Sequence, residues 1–177
     1  DQNKVELLRF LDKDDAKDAL SIIDRVGLIP FEEKRKGKLR LYAFTPTTSF
    51  SSSQGLYGGK AVERAFIKLL LDELYPGLTA AFPEGYIEYG ATSGWPWACE
   101  EAQGKFDNVS ALFKTAYGRA LRAEFGKPAR ENILHAIDTS KHGQSLGRMR
   151  KALAQAALDS APPDLVIFDE FQCYREL

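Results

Sequence analysis

The sequence predicts an α/β domain, because two strand patterns are separated by several segments with helical periodicity. "LRLYAFT" (39–45) alternates and then turns apolar, as a strand does. "LVIF" (165–168) is an uninterrupted apolar run, typical of a strand buried on both faces of a parallel sheet. No linker or internal repeat divides the 177 residues, so residues 1–177 are predicted to form one domain.

Two segments in the first half of the chain carry helical patterns. One or two short amphipathic helices are predicted before Gly27. "KAVERAFIKLLLDELYPG" predicts a longer helix that starts near Lys60 and is stopped by Pro76 and Gly77. The predicted unit is therefore a strand, the Ser- and Gly-rich loop 45–59, and this helix.

Three further helices are predicted in the second half. The first has Asp107 or Asn108 as its N-cap and ends at Gly126. The second is "RENILHAID", and the third covers residues 145–161. The apolar face of the first helix consists of Val109, Leu112, Phe113, Ala116, Ala120 and Leu121, and that of the third of Leu146, Met149, Leu153, Ala156 and Ala157.

The segment between these groups of helices is rich in aromatic residues and glycine. A short strand is predicted at residues 86–89. Tyr89, Trp95 and Trp97 could stack on nucleic-acid bases, but packing into the core is the preferred interpretation.

Composition limits the classes of function. The formal net charge of −1 gives no global argument for binding nucleic acid or an anionic membrane. Cys99 and Cys173 are the only cysteines and do not form a CxxC pair, so a reduced, cytoplasmic protein without structural zinc is expected. No apolar run approaches the roughly 20 residues that a membrane-spanning helix needs.

Two carboxylates follow the last predicted strand and are the main candidates for chemistry. Ligands of open α/β sheets bind beyond the carboxyl ends of the strands, where Asp169 and Glu170 stand. One carboxylate there can hold a hydrated Mg²⁺, and the other can deprotonate a water that attacks a phosphoryl group. The alternative is a strand end with two solvated acids.

Two motifs together resemble superfamily 2 helicases of a bacterial subgroup. "PDLVIFDEFQ" (163–172) resembles their motif II, and "LYAFTPTTSF" followed by "GGKAVERAFIKLLL" resembles a segment that precedes it. The resemblance implies a partial RecA-like parallel sheet with a helical insertion. It also implies that Asp169 holds Mg²⁺ through water, that Glu170 activates the attacking water, and that Gln172 couples ATP hydrolysis to movement on nucleic acid. Cys173 departs from the usual arginine.

The chain lacks other elements of such helicases. The nearest match to a P-loop, "QGLYGGKA", has Gln54 in place of the first glycine and Ala61 in place of the hydroxyl residue. The resemblance therefore implies an internal piece of a first RecA-like lobe, inert alone. ATP and Mg²⁺ would act, and DNA or RNA would bind, in the parent protein.

Other functional interpretations rest on fewer residues. The rival hypothesis is a non-enzymatic protein-interaction domain whose contact face is the aromatic segment 82–97. A hydrolase using serines 49–53 with His135 or His142 lacks the expected G-x-S-x-G motif, and His135 is predicted to pack in the core. Basic residues of the last helix are predicted to lie on a solvated face rather than to contact phosphate: Arg148, Arg150 and Lys151.

Overall fold

The computed structural model describes residues 59–91, 93–140, 143–160 and 162. These residues form five α-helices and one short 3₁₀ turn. The helices are α1 (Ala61–Leu74), α2 (Trp95–Phe106), α3 (Ala111–Phe125), α4 (Ala129–Thr139) and α5 (Gln144–Ser160), and the 3₁₀ turn is Thr79–Ala81.

The predicted fold class, an α/β partial RecA-like parallel sheet with a helical insertion, is wrong for this part of the chain. Of the residues that the structure describes, 72% are helical and none lies in a strand. The predicted strand at 86–89 is a turn, in which the Tyr89 amide donates to the Gly85 carbonyl. Tyr86 and Ile87 are adjacent and both buried, which a turn allows but a strand with one buried face does not. The other two predicted strands, 39–45 and 165–168, lie outside the described residues.

The helices themselves are close to their predicted positions. α1 begins directly after Lys60 and ends before Pro76, and α4 covers the predicted "RENILHAID" segment. The N-cap of α3 is Ser110, whose hydroxyl accepts a hydrogen bond from the Phe113 amide, rather than Asp107 or Asn108. Leu112, which is predicted to lie on the apolar face, is 60% exposed. The buried face instead starts at Phe113 and continues at three- and four-residue intervals, and Leu112 precedes it by about 100° of helical rotation.

The core is built from two closely packed helix pairs. α1 packs along α2, and α3 packs along α5, while α1 also contacts α3 and α5. Phe66 of α1 meets Phe106 of α2 edge to face, with ring centroids 5.8 Å apart. Tyr117 of α3 is fully buried, and burial raises the pKa of its hydroxyl. α4 covers one side of the α3–α5 pair.

A carboxylate fixes the start of the long connection between α1 and α2. Asp72 of α1 accepts hydrogen bonds from the backbone amide and the hydroxyl of Thr79, and from the ammonium group of Lys68. Burial by itself would raise the pKa of Asp72, but these hydrogen bonds lower it below its ordinary value. The 3₁₀ turn is thereby held against the end of α1.

Among the described residues, the helices are all too short or too polar to cross a membrane.

Candidate functional site

The residues predicted to carry the chemistry lie outside the described part of the chain. These are Asp169, Glu170 and Gln172, together with Cys173. Their roles therefore stay predictions. Over 59–91, 93–140, 143–160 and 162, no three His, Cys, Asp or Glu side chains converge in a way that could hold a metal ion.

The five helices α1 to α5 are called the helical unit here. A buried ion pair near its N-terminal end joins α1 to α5. The Arg150 Nε atom of α5 lies 3.1 Å from the Glu63 Oε2 atom of α1, and the two side chains are 10% and 6% exposed. The prediction that Arg150 lies on a solvated helix face is therefore wrong. The other two basic residues of that helix, Arg148 and Lys151, are partly exposed and pair with Glu124 of α3.

The neighbouring Arg64 is also buried and binds backbone carbonyls. Its guanidinium donates to the carbonyl oxygen of Ile87 at 2.8 Å and also to those of Gly59 and Glu88. Burial lowers the pKa of Arg64, and so does the charge of Arg150, while Glu63 opposes the shift. A single side chain thus ties the turn at 85–90 to Gly59, two residues before the start of α1.

The backbone at Gly59 completes this cluster. Its φ of +71° is a conformation that residues with a side chain rarely adopt. A Cβ atom there would lie 2.5 Å from Arg150 Nε and 2.6 Å from Glu63 Oε2. The ion pair therefore requires glycine at this position, which explains the second glycine of the "GGKA" sequence.

The geometry of Glu63, Arg64 and Arg150 indicates that these residues stabilise the fold and do not catalyse a reaction. Guanidinium groups stay protonated, so they cannot act as bases. The only carboxylate of the three is paired and buried. The sequence carries one signal for this cluster, since "ER" interrupts the apolar residues of α1.

Two aromatic side chains predicted to pack in the core are on the surface instead. Trp97 is 62% exposed and Tyr89 is 39% exposed, whereas Trp95 is half-buried against the core as predicted. The stretch 84–101 contains four glutamates and no lysine or arginine. The glutamates would repel the phosphates of a nucleic acid, so the aromatic rings are not well placed to stack on its bases.

The structure describes only some of the remaining weak candidates. His135 is exposed rather than packed in the core, and the serines considered with it lie outside the described residues, as does His142. Cys99 is half-buried, and burial raises the pKa of its thiol, which makes it a poor nucleophile at neutral pH.

No protein-family model, curated protein or solved structure matches this chain.

Proposed function

We propose that the chain is part of a nucleic-acid-dependent ATPase of the helicase or translocase type. The observation that carries the proposal is the presence of two motifs in a fixed order, "FTPTTSF" first and "DLVIFDEFQ" after it. Asp169 then holds Mg²⁺ through water, Glu170 activates the attacking water, and Gln172 couples hydrolysis to the movement on DNA or RNA. We place this protein in the cytoplasm, in line with its cysteine content.

In this proposal α2 to α5 lie between the two motif segments. α1 contains the end of the first segment, "AVERAFIKLLL", and α5 ends at Ser160, shortly before Pro163 opens the second. The helical unit then has no nucleotide site of its own. Because the 177 residues contain no P-loop, the ATP phosphates are bound by a part of the ATPase outside them. We use the term intact ATPase for the polypeptide or assembly that contains both these 177 residues and this P-loop.

The first test uses the purified 177-residue chain. We expect neither ATP turnover nor tight ATP binding, with or without Mg²⁺ and nucleic acid, because a motif II without a P-loop cannot cradle the phosphates. Phosphate release and binding of a fluorescent ATP analogue measure the two properties. The intact ATPase is the positive control. Turnover by the 177-residue chain would place a phosphate site within it and contradict the division of roles.

A second candidate function is favoured by the exposure of Trp97. A mostly exposed tryptophan in an acidic stretch is typical of a protein-contact residue, and tryptophan is enriched at the centres of interfaces. The charges predict a partner segment rich in lysine or arginine. This function is non-enzymatic and would use the segment 82–97.

Tryptophan fluorescence tests this second candidate. A lysine-rich peptide should shift the emission of the chain to shorter wavelength as Trp97 leaves water, and the shift should weaken as salt is added. Trp97→Phe should remove most of the shift, and the matched variant Trp95→Phe should retain it. Because burial of a large aromatic hot spot contributes 2 kcal/mol or more, Trp97→Ala should weaken binding by roughly 30-fold. A peptide shift that survives in Trp97→Phe would exclude this surface.

A further inference from the structure

Charge is distributed unevenly over the helical unit. Residues 61–107 contain eight carboxylates and three lysines or arginines, a net charge of −5. Residues 108–160 contain four carboxylates and nine lysines or arginines, a net charge of +5. The formal charge of −1 for the whole chain therefore conceals one acidic and one basic half.

Half of the lysine and arginine side chains in the described residues pair with a carboxylate. Lys68, Lys105 and Lys114 pair with carboxylates at 2.6 to 2.9 Å. The basic residues of α5 pair with Glu124 or Glu63. Four others make no ion pair with any described carboxylate, and they follow one another closely in the sequence "GRALRAEFGKPAR": Arg119, Arg122, Lys127 and Arg130.

These four residues, called the basic corner here, surround the junction of two helices. Arg119 and Arg122 are exposed and lie on the outer face of α3, one turn apart. Lys127 is exposed in the three-residue connection, and Arg130 is half-buried in the first turn of α4. The Asn132 side chain donates to the Phe125 carbonyl at 2.9 Å, which holds the start of α4 against the end of α3.

The nearby carboxylates do not neutralise the basic corner. Glu124 lies in the same stretch but forms ion pairs with Lys151 at 2.6 Å and with Arg148 at 3.9 Å. Glu131 is the remaining carboxylate between residues 118 and 135, and it is exposed. The junction of α3 and α4 thus carries four positive side chains and, from residue 118 to residue 135, one carboxylate without an ion pair to any described residue, Glu131.

We propose that the basic corner binds the phosphate backbone of nucleic acid. Arginine is suited to phosphate because its planar donors match two phosphate oxygens. The corner comprises charged side chains without an exposed aromatic ring, so it contacts phosphates and does not read bases. The choice of nucleic acid over other polyanions rests on the proposed function, while the presence of an anion-binding surface rests on these four side chains.

Salt dependence of binding tests this assignment on the 177-residue chain. A fluorescent single-stranded oligonucleotide should bind with a Kd of about 10⁻⁴ to 10⁻⁶ M at physiological salt. If four phosphates are contacted, the logarithm of the association constant should fall against the logarithm of salt concentration with a slope of about −2.8. Alanine at all four positions should abolish this binding. Each single replacement should make the slope less negative by about 0.7, without preference for base sequence.

A matched double variant controls for the loss of charge. Arg119→Ala/Arg122→Ala and Lys68→Ala/Lys105→Ala each remove two positive charges, but only the first pair belongs to the basic corner. The first should lower affinity strongly, and the second should leave it nearly unchanged. Thermal unfolding checks that both variants fold. Equal losses in the two variants, or full binding by the fourfold variant, would overturn the assignment.

Two further probes separate nucleic acid from other polyanions. Vesicles that contain anionic phospholipid and a polyglutamate peptide are compared with the oligonucleotide at the same salt concentration. Weaker binding of both supports nucleic acid as the ligand, and tighter binding of either overturns it. The outcome is independent of ATP hydrolysis, so its failure is distinguishable from failure of the proposed ATPase function.

Discussion

Glu170→Gln in the intact ATPase should retain binding of ATP and Mg²⁺ and lower ATP turnover by about 10² to 10⁴-fold. General-base catalysis contributes a factor of this size, and glutamine keeps the shape of the side chain without its basicity. Steady-state phosphate release measures turnover, and a fluorescent ATP analogue measures binding. The expected pattern is an unchanged dissociation constant with a strongly reduced turnover number.

Asp169→Asn is the matched variant, because it also replaces a carboxylate by an amide, at the adjacent position. It should weaken the Mg²⁺-dependent part of ATP binding, since it removes charge from the surroundings of the ion. Unchanged hydrolysis in Glu170→Gln would instead leave Asp169 and Glu170 as two solvated acids. It would also remove the main support for the ATPase proposal.

The buried pair of Glu63 and Arg150 should give the largest effect on stability. Removing one partner of a buried ion pair costs about 3 to 5 kcal/mol, because the other charge remains buried without compensation. Glu63→Ala should be the more damaging of the two single variants. It leaves Arg150 beside Arg64, whose pKa is already lowered by burial and by the charge of Arg150. Arg150→Met, by contrast, leaves Glu63 near the charge of Arg64.

Urea unfolding of the 177-residue chain measures these differences in free energy. The double variant Glu63→Leu/Arg150→Met should recover much of the loss, because no uncompensated charge of the pair remains. Glu101→Ala, which breaks the more exposed pair with Lys105, is the control and should cost about 1 kcal/mol or less. A cost below about 1 kcal/mol for Glu63→Ala would contradict the assignment of a stabilising buried pair.

Local patterns were sufficient to predict most of the helices. The positions of α1, α3, α4 and α5 follow from apolar spacing and from breakers such as Pro76 and Gly126, which act within a few residues of the helix ends. α2 was not predicted, because "GWPWACEEAQGKF" opens with glycine, proline and two tryptophans, which resemble a loop or short strand.

Burial was harder to predict than helix position, because it depends on distant parts of the chain. Arg150 follows Met149 on a helix whose exposed face was expected to be basic. Its burial is stabilised by Glu63 of α1, which local periodicity cannot reveal. Trp97 is apolar enough for a core, but α2 presents Ala98 and Ala102 to its neighbours, so the larger ring faces outward. The predicted site residues Asp169, Glu170 and Gln172 depend on the sequence pattern alone.

The hydrogen bonds of Arg64 make two distant backbone segments open together. Its guanidinium binds the carbonyls of Gly59, Ile87 and Glu88, so a movement of the Arg64 side chain would break bonds to both segments at once. In hydrogen exchange, we therefore expect the first turn of α1 and the turn at 85–90 to behave as one cooperative unit. Tyr89 lies within that turn and on the surface. A ligand that rigidifies the turn would therefore also slow amide exchange at the start of α1, although it contacts only the aromatic surface.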